Sequence, residues 1–290
     1  MKIASNKLSD LFSFYKSELS PIYEANELTS IFELVCERYL QFTKIDVKQR
    51  QFENVNQSDF IKIYDTCLEL KKGTPIHYIL KEAFFYDSVF EVSSDVLIPR
   101  PETEELVDIV LKSNLLHPKS NTSILDIGTG SGCIPIILKK HISEASVFGI
   151  DISEKALMIA NSNAQKLKQE VTFFKTDILT ETLGNKRYSV IISNPPYVLQ
   201  SESKLMDNRV LGYEPHLALF VKDTDPIIFY KRIIDLCSSN LEEKGWLFFE
   251  LNPMYAEEVK NYAIASNLFT FSEILQDMSG KQRFLKAQKK

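Results

Sequence analysis

"SILDIGTGSGCIPIILKKHI", residues 123–142, decides the fold. Its first half is a short apolar run that reads as a buried strand. Three glycines follow at alternate positions, Gly128, Gly130 and Gly132. Its second half reads as a helix, in which Pro135 is tolerable only in the first turn. Strand, glycine turn, helix is the start of a β-α unit. The same rhythm continues downstream. "ASVFGID" is a strand and "SEKALMIANSNAQKL" a helix with Ser153 as its N-cap. "VTFFKTD" and "YSVIISN" are strands. "DPIIFYKRIIDLCSSNLEEKG" reads as one helix and "WLFFELN" as a strand. The tail, "TFSEILQD" and "GKQRFLKAQ", reads as a closing antiparallel pair. Repeated β-α units with near-continuous apolar strands predict a parallel sheet covered by helices on both faces.

Upstream the periodicity is helical. Leu8, Leu11, Phe12 and Tyr15 make one stripe, Leu28, Ile31, Phe32 and Val35 a second. Phe60, Ile63, Tyr64, Cys67 and Leu68 make a third. Such stripes are ordinary core. "AFFYDSVFEVSSDVLIPRP" is aromatic, β-branched and partly alternating, and predicts a short strand pair. The expected organisation is a helical domain over 1–80, a β-hairpin linker over 81–98 and an α/β domain over 99–290.

The bulk numbers exclude some functions. The 290 residues carry a net charge of −5, which weighs against a nucleic-acid backbone as the main partner. Cys36, Cys67, Cys133 and Cys237 are far apart with no C-x-x-C pair, so reduced thiols are expected, not a disulfide or zinc framework. The four histidines form no ligand-spaced cluster, and no metal is expected. No signal-like or membrane-spanning apolar run is present. The expected setting is the cytoplasm, away from membranes.

Ligands of open α/β sheets bind beyond the carboxyl ends of the strands, at the switch point. The glycine turn sits there. Its G-x-G-x-G spacing is not the dinucleotide fingerprint, because the third glycine comes one position early. Glycine still lets the backbone approach a ligand closely. Asp151 ends the second strand roughly twenty residues on, where an acidic residue meets a ribose in nucleotide folds. Asp126 precedes the turn, and either holds its amides or faces a cationic ligand group. Asp177 ends the third strand, beside an adenine edge. Each alone reads equally as an N-cap or a turn residue. Three carboxylates at adjacent strand ends point instead to a nucleotide without phosphate, and S-adenosylmethionine is such a cofactor.

The fourth strand ends in "SNPPY", residues 193–197. Pro195 pushes Asn194 into an extended conformation. Neither Pro195 nor Pro196 donates an N–H, so nearby carbonyls are free to accept. Tyr197 offers a ring face and a hydroxyl. The Asn194 side-chain oxygen and the Pro195 carbonyl suit the two hydrogens of an amide or amine nitrogen. The plainer alternative is a structural turn.

"LDIGTGSG" followed by "SNPPY" resembles the S-adenosylmethionine-dependent methyltransferases of planar nitrogens. With "GTPIHYIL", "VLIPRPETEELV", "GYEPHLALF" and "GKQRF", the chain resembles more specifically the glutamine methyltransferases of bacterial peptide-chain release factors. The resemblance covers roughly residues 73–285. It implies a Rossmann-like methyltransferase sheet, mostly parallel with an antiparallel last strand, and a small helical N-terminal domain. The implied substrate is the glutamine of a release factor's Gly-Gly-Gln loop, methylated on its side-chain nitrogen. It implies cofactor contacts from Asp126, Gly128, Thr129, Gly130, Ser131, Gly132, Asp151, Asp177, Ile178 and Asn194. Asn194, Pro195, Pro196 and Tyr197 would hold the glutamine, and the segment containing Arg100 and Glu102 would wall the site. The chain departs from the family with Asn252 and Pro253 after the fifth strand, and with Ile178 where some members carry an aromatic. Both departures bear on cofactor affinity.

The runner-up is a nucleic-acid amino methyltransferase acting on adenine N6 or guanine N2, since the same clamp serves an exocyclic amine. The acidic net charge and the small helical extra domain weigh against it. A cofactor-binding protein without catalysis would not need the acceptor clamp. The chain is expected to act as a monomer on a protein substrate.

Overall fold

The computed structural model describes residues 3–113 and 122–290. These residues form two compact units. One runs to Lys81 and includes Asp207–Tyr213, and the other holds Glu82–Met206 and Glu214–Lys290.

The first unit contains α1 (Leu8–Leu19), α2 (Ala25–Leu40), α3 (Lys44–Gln49), α4 (Gln57–Lys71) and α5 (Ile76–Leu80). The three sequence stripes supply its core. Leu8, Leu11, Tyr15, Leu28, Ile31, Phe32, Val35, Ile63 and Cys67 are all buried. The Tyr15 hydroxyl donates to the Ile63 carbonyl at 2.6 Å, joining α1 to α4. Helix α3 falls in a stretch whose apolar periodicity is weak. Its signal is a capping box, in which Thr43 Oγ1 accepts from Asp46 N–H and the Asp46 carboxylate accepts from Thr43 N–H.

The second unit opens with the hairpin β1 (Glu82–Phe85) and β2 (Ser88–Glu91), followed by α6 (Pro101–Lys112) with proline at its first position. The α/β part follows as β3 (Ser123–Ile127), α7 (Cys133–His141), β4 (Ser146–Asp151), α8 (Glu154–Lys166), β5 (Val171–Lys175) and β6 (Tyr188–Ser193). Then come β7 (Val198–Leu199), α9 (Asn208–Tyr213), α10 (His216–Leu219), β8 (Phe220–Val221) and α11 (Ile228–Asn240). The chain closes with β9 (Leu241–Glu250), α12 (Ala256–Ala265), β10 (Phe269–Gln276) and β11 (Gln282–Lys289). Of these, α9 groups with the first unit. There Arg209 pairs with Glu27 at 3.1 Å, and the Tyr213 hydroxyl donates to the Lys72 carbonyl at 2.9 Å.

The sheet order is β10-β11-β9-β6-β3-β4-β5. Strands β3, β4, β5, β6 and β9 are parallel, and β11 runs antiparallel to β9 and β10. This is the expected fold class. Both faces of the central strands β3 and β6 are buried, as their unbroken apolar runs require. Leu125, Ile191, Leu247 and Phe249 pack on one side with α11 and α12. Ile124, Val190, Ile192 and Phe248 pack on the other with α6 and α7. The order reverses at β3, so the ends of β3, β4 and β6 meet at the switch point.

Helix α11 ends earlier than the sequence reading placed it. The helix read through Gly245 stops at Asn240, and Leu241 already belongs to β9. Asn240 is buried and donates to the carbonyls of Gly184 and Lys186, which ties the helix end to the preceding loop. Residues 242–245 bulge out between the Leu241–Tyr188 and Trp246–Val190 pairs, with Lys244 at positive φ. Among the described residues no helix is long and apolar enough to cross a membrane.

Candidate active site

The glycine turn after β3 is held from β4. Gly128 N–H and Thr129 N–H both donate to the Ile150 carbonyl at 2.9 Å. Gly130 N–H donates to Asp151 Oδ2, and Ser153 N–H to Asp151 Oδ1, each at 2.9 Å. The three glycines take φ of +76°, +52° and +80°, a region that disfavours side chains. Asp151 thus fixes the turn and caps the approach to α8 at once. Burial pushes its carboxyl up, against the pull of the Ser153 and Gly130 N–H groups. Each oxygen keeps a lone pair for a further donor.

A cleft of about 310 Å³ opens at the switch point. Gly128, Gly130, Asp151, Asp177, Ile178, Asn194, Pro195 and Pro196 border it, as do the apolar Leu179, Phe229 and Ile233. Asp95, from the segment after the hairpin, is a third bordering carboxylate. Among the described residues no lysine or arginine borders it. Asp177 also closes a local turn, accepting from Leu179 N–H and the Thr180 hydroxyl.

Other candidates sit behind the cleft. Asp126 is fully buried inside β3, and neither carboxylate oxygen has a hydrogen-bond partner. The turn's amides go to Ile150 and Asp151, so Asp126 does not hold them. Burial pushes its carboxyl up to about 7, and the Asp151 charge adds to the push. Thr129 and Ser131 are buried within the turn. Gly132 is a packing position, where a Cβ would lie 3.0 Å from Ile136 Cδ1 and 3.1 Å from Ala160 Cβ.

The end of β6 carries the second half of the site. The Asn194–Pro195 peptide is trans. Asn194 Nδ2 donates to Thr103 Oγ1 at 3.0 Å, and Thr103 Oγ1 donates to Glu250 Oε2 at 2.7 Å. The Tyr197 hydroxyl does not face the cleft but donates to Glu250 Oε1 at 3.1 Å. Burial, then the Glu250 charge, raises the Tyr197 phenol, so it stays a donor. Asn252 Nδ2 donates to the Tyr197 carbonyl at 3.1 Å. The Asn252 departure therefore bears on the Asn-Pro-Pro-Tyr segment.

Arg100 and Glu102 do not border the cleft. Arg100 pairs with buried Glu214 at 2.5 Å, joining "IPRPETE" to "GYEPHLALF". Glu102 acts on Tyr197 and Glu250 through its charge. The sequence reading missed Thr103, the next residue, and Glu250 at the end of β9. A carboxylate ending an apolar parallel strand was the available signal for Glu250. Phe229 and Ile233 were hidden in the apolar stripe of α11.

Residues 107–212 match the family model of the methyltransferase small domain. The chain is 41% identical over 269 residues to a release factor glutamine methyltransferase of Flavobacterium psychrophilum, covering 92% of this chain and 94% of that one. It is 37% identical over 292 residues to the enzyme of the same name in Bacteroides thetaiotaomicron, covering 97% and 99%. Among solved structures, the hMettl16 catalytic domain, crystallised with a MAT2A 3'UTR hairpin, superposes with a TM-score of 0.53 at 14% identity. It covers 81% of this chain and 82% of that one, a likeness of fold. At these identities over nearly the whole length, the chain belongs to the release factor glutamine methyltransferase family.

Proposed function

We propose that this protein methylates the side-chain nitrogen of a release factor glutamine, in a Gly-Gly-Gln loop, using S-adenosylmethionine. The observation that carries this reading is that Asn194, Pro195 and Pro196 border the same cleft as Gly128, Gly130 and Asp151. An acceptor clamp for a planar nitrogen and a nucleotide-type cradle are therefore within one ligand's reach. The cleft's donor set fits the cofactor. Among the described residues its charged lining is carboxylate, which suits hydroxyls and cationic groups and repels a diphosphate. Asp151 would accept from the ribose, Asp177 and Ile178 would flank the adenine, and the Gly128–Gly130 backbone would pass close to the amino-acid end. The cofactor supplies an electrophilic methyl on a sulfonium.

The chain's own residues then act on the nucleophile. A side-chain amide nitrogen is poor because its lone pair is delocalised into the carbonyl. Asn194 Oδ1 and the Pro195 carbonyl accept its two hydrogens and aim the nitrogen at the methyl. They also stabilise the positive charge that grows on it. The nitrogen so held would take the methyl that the cofactor supplies when bound, with the cofactor's thioether as leaving group, and the N-methylated amide would give up its extra proton to water without a strong base. Small neighbours let the glutamine reach Asn194, which suits flanking glycines.

The test is mass spectrometry of a release factor incubated with enzyme and labelled cofactor. One methyl on the loop glutamine is expected, and none when that glutamine is replaced by glutamate. Asn194→Ala should slow transfer by about a hundred-fold. Label on DNA or RNA with the release factor unlabelled would replace this reading with the nucleic-acid one.

A further inference from the structure

The geometry points to Thr103 and Glu250 as positioning residues that dictate which end of the Asn194 amide faces the cleft. The inference rests on the proposed role of Asn194 as an acceptor, and adds how that role is enforced.

An asparagine amide is nearly symmetric in shape, and its two ends do opposite things. Oδ1 accepts, and Nδ2 donates. Turned the wrong way, Asn194 would set its N–H groups against those of the substrate amide. Something must choose. Glu250 is 1% exposed, and a carboxylate only accepts. Its Oε2 lies 2.7 Å from Thr103 Oγ1, and its Oε1 lies 3.1 Å from the Tyr197 hydroxyl. Thr103 is itself buried and has one hydroxyl hydrogen, which goes to Glu250. The side of Thr103 Oγ1 turned to Asn194, at 3.0 Å, can then only accept. Asn194 must present Nδ2 to Thr103, and Oδ1 is left for the cleft. The far end of the segment is pinned separately, by Asn252 on the Tyr197 carbonyl.

A protonated Glu250 would donate to Thr103, free the threonine hydrogen and release the choice. Burial raises this carboxyl, while the bonds from Thr103 and Tyr197 and the charge of Arg283 on β11 hold it down. Glu102 on α6 adds a smaller push upward, and the Tyr230 hydroxyl on α11 donates to the Glu250 carbonyl close by. The chemical rate should therefore fall as pH falls through the Glu250 titration.

The experiment measures kcat and KM on a glutamine loop peptide, and cofactor affinity by calorimetry, in the full-length protein. Thr103→Val keeps the shape but neither donates nor accepts. It should lower kcat about ten-fold or more, with cofactor affinity within three-fold of wild type. Thr103→Ser should restore most of the rate. Glu250→Gln should be slow at neutral pH and lose the acid limb of the kcat profile. The sharpest readout is the Asn194→Asp background, where both side-chain ends accept and nothing remains to choose. There Thr103→Val should cost no further rate. Wild-type kcat in Thr103→Val, equal losses in the valine and serine variants, or the full valine penalty persisting with Asp at 194 would each overturn the inference. Should Thr103→Val melt early, the Glu250→Gln profile decides alone, and an unchanged acid limb overturns it. A wild-type enzyme that labels no glutamine would instead remove the functional reading beneath it.

Discussion

Two aspartates at adjacent strand ends have different fates, and the difference is solvent and hydrogen bonds. Asp151 accepts from two backbone N–H groups and borders the cleft. Asp151→Ala should weaken cofactor binding by about 1.5–3 kcal/mol, roughly ten- to a hundred-fold. It should also lower the melting temperature of the unliganded protein, because it frees two turn amides. Calorimetry and a thermal melt separate the two effects, and unchanged affinity in a folded variant would remove Asp151 from the site. Asp126 is buried without a partner, its carboxyl raised from 3.8 to about 7. The folded state thus binds a proton that the unfolded state has released. This group's stabilising contribution is complete below about pH 4 and is lost as pH rises through about 7. Asp126→Asn should flatten that slope. Unliganded stability at pH 8 should rise by on the order of 2–4 kcal/mol, with little change at pH 4. Denaturant unfolding across that range checks it, and parallel slopes in the two proteins would refute it.

The periodic elements were legible because the central strands β3 and β6 are buried on both faces and the longer helices bury an apolar stripe. What escaped was decided by side chains reaching across elements. Helix α11 ends where Asn240 and Lys289 claim its last turn. Lys289, the last residue of β11, is buried and donates to the carbonyls of Cys237, Ser238 and Leu241 at 2.9–3.0 Å. In sequence it looks like an ordinary charged residue near the chain's end. Its ammonium answers carbonyls that a helix end leaves without partners. Lys289→Met should destabilise the protein by about 1–3 kcal/mol while KM for the glutamine peptide stays unchanged. A melting temperature equal to wild type would show that water serves those carbonyls equally well.

At the scale of the whole molecule, the chain divides into a unit that supplies the residues lining the cleft and a helical unit that, among the described residues, supplies none of them. We propose that the helical unit grips the folded body of the release factor. Ile45 on α3 and Phe52 just beyond it are 66% and 70% exposed, large apolar groups left to water on that unit. Replacing both with glutamate should raise KM for the intact release factor at least several-fold and leave KM for the loop peptide unchanged. Equal effects on both substrates would place the grip elsewhere. The unit is also discontinuous in sequence, since Asp207–Tyr213 returns to it from the middle of the other.

The sequence by itself determined the alternating β-α order, the helical first unit, the glycine turn and the Asn-Pro-Pro-Tyr segment. These are local signals of periodicity, glycine conformation and proline geometry, complete within a few residues. Only the tertiary structure decided that Asp126 lies behind the cleft, that the Tyr197 hydroxyl turns away from it, and that Thr103 and Glu250 stand behind Asn194. Those facts depend on which side chains meet across the sheet, from positions 91 and 147 residues apart along the chain. No window of sequence contains both ends of such a bond.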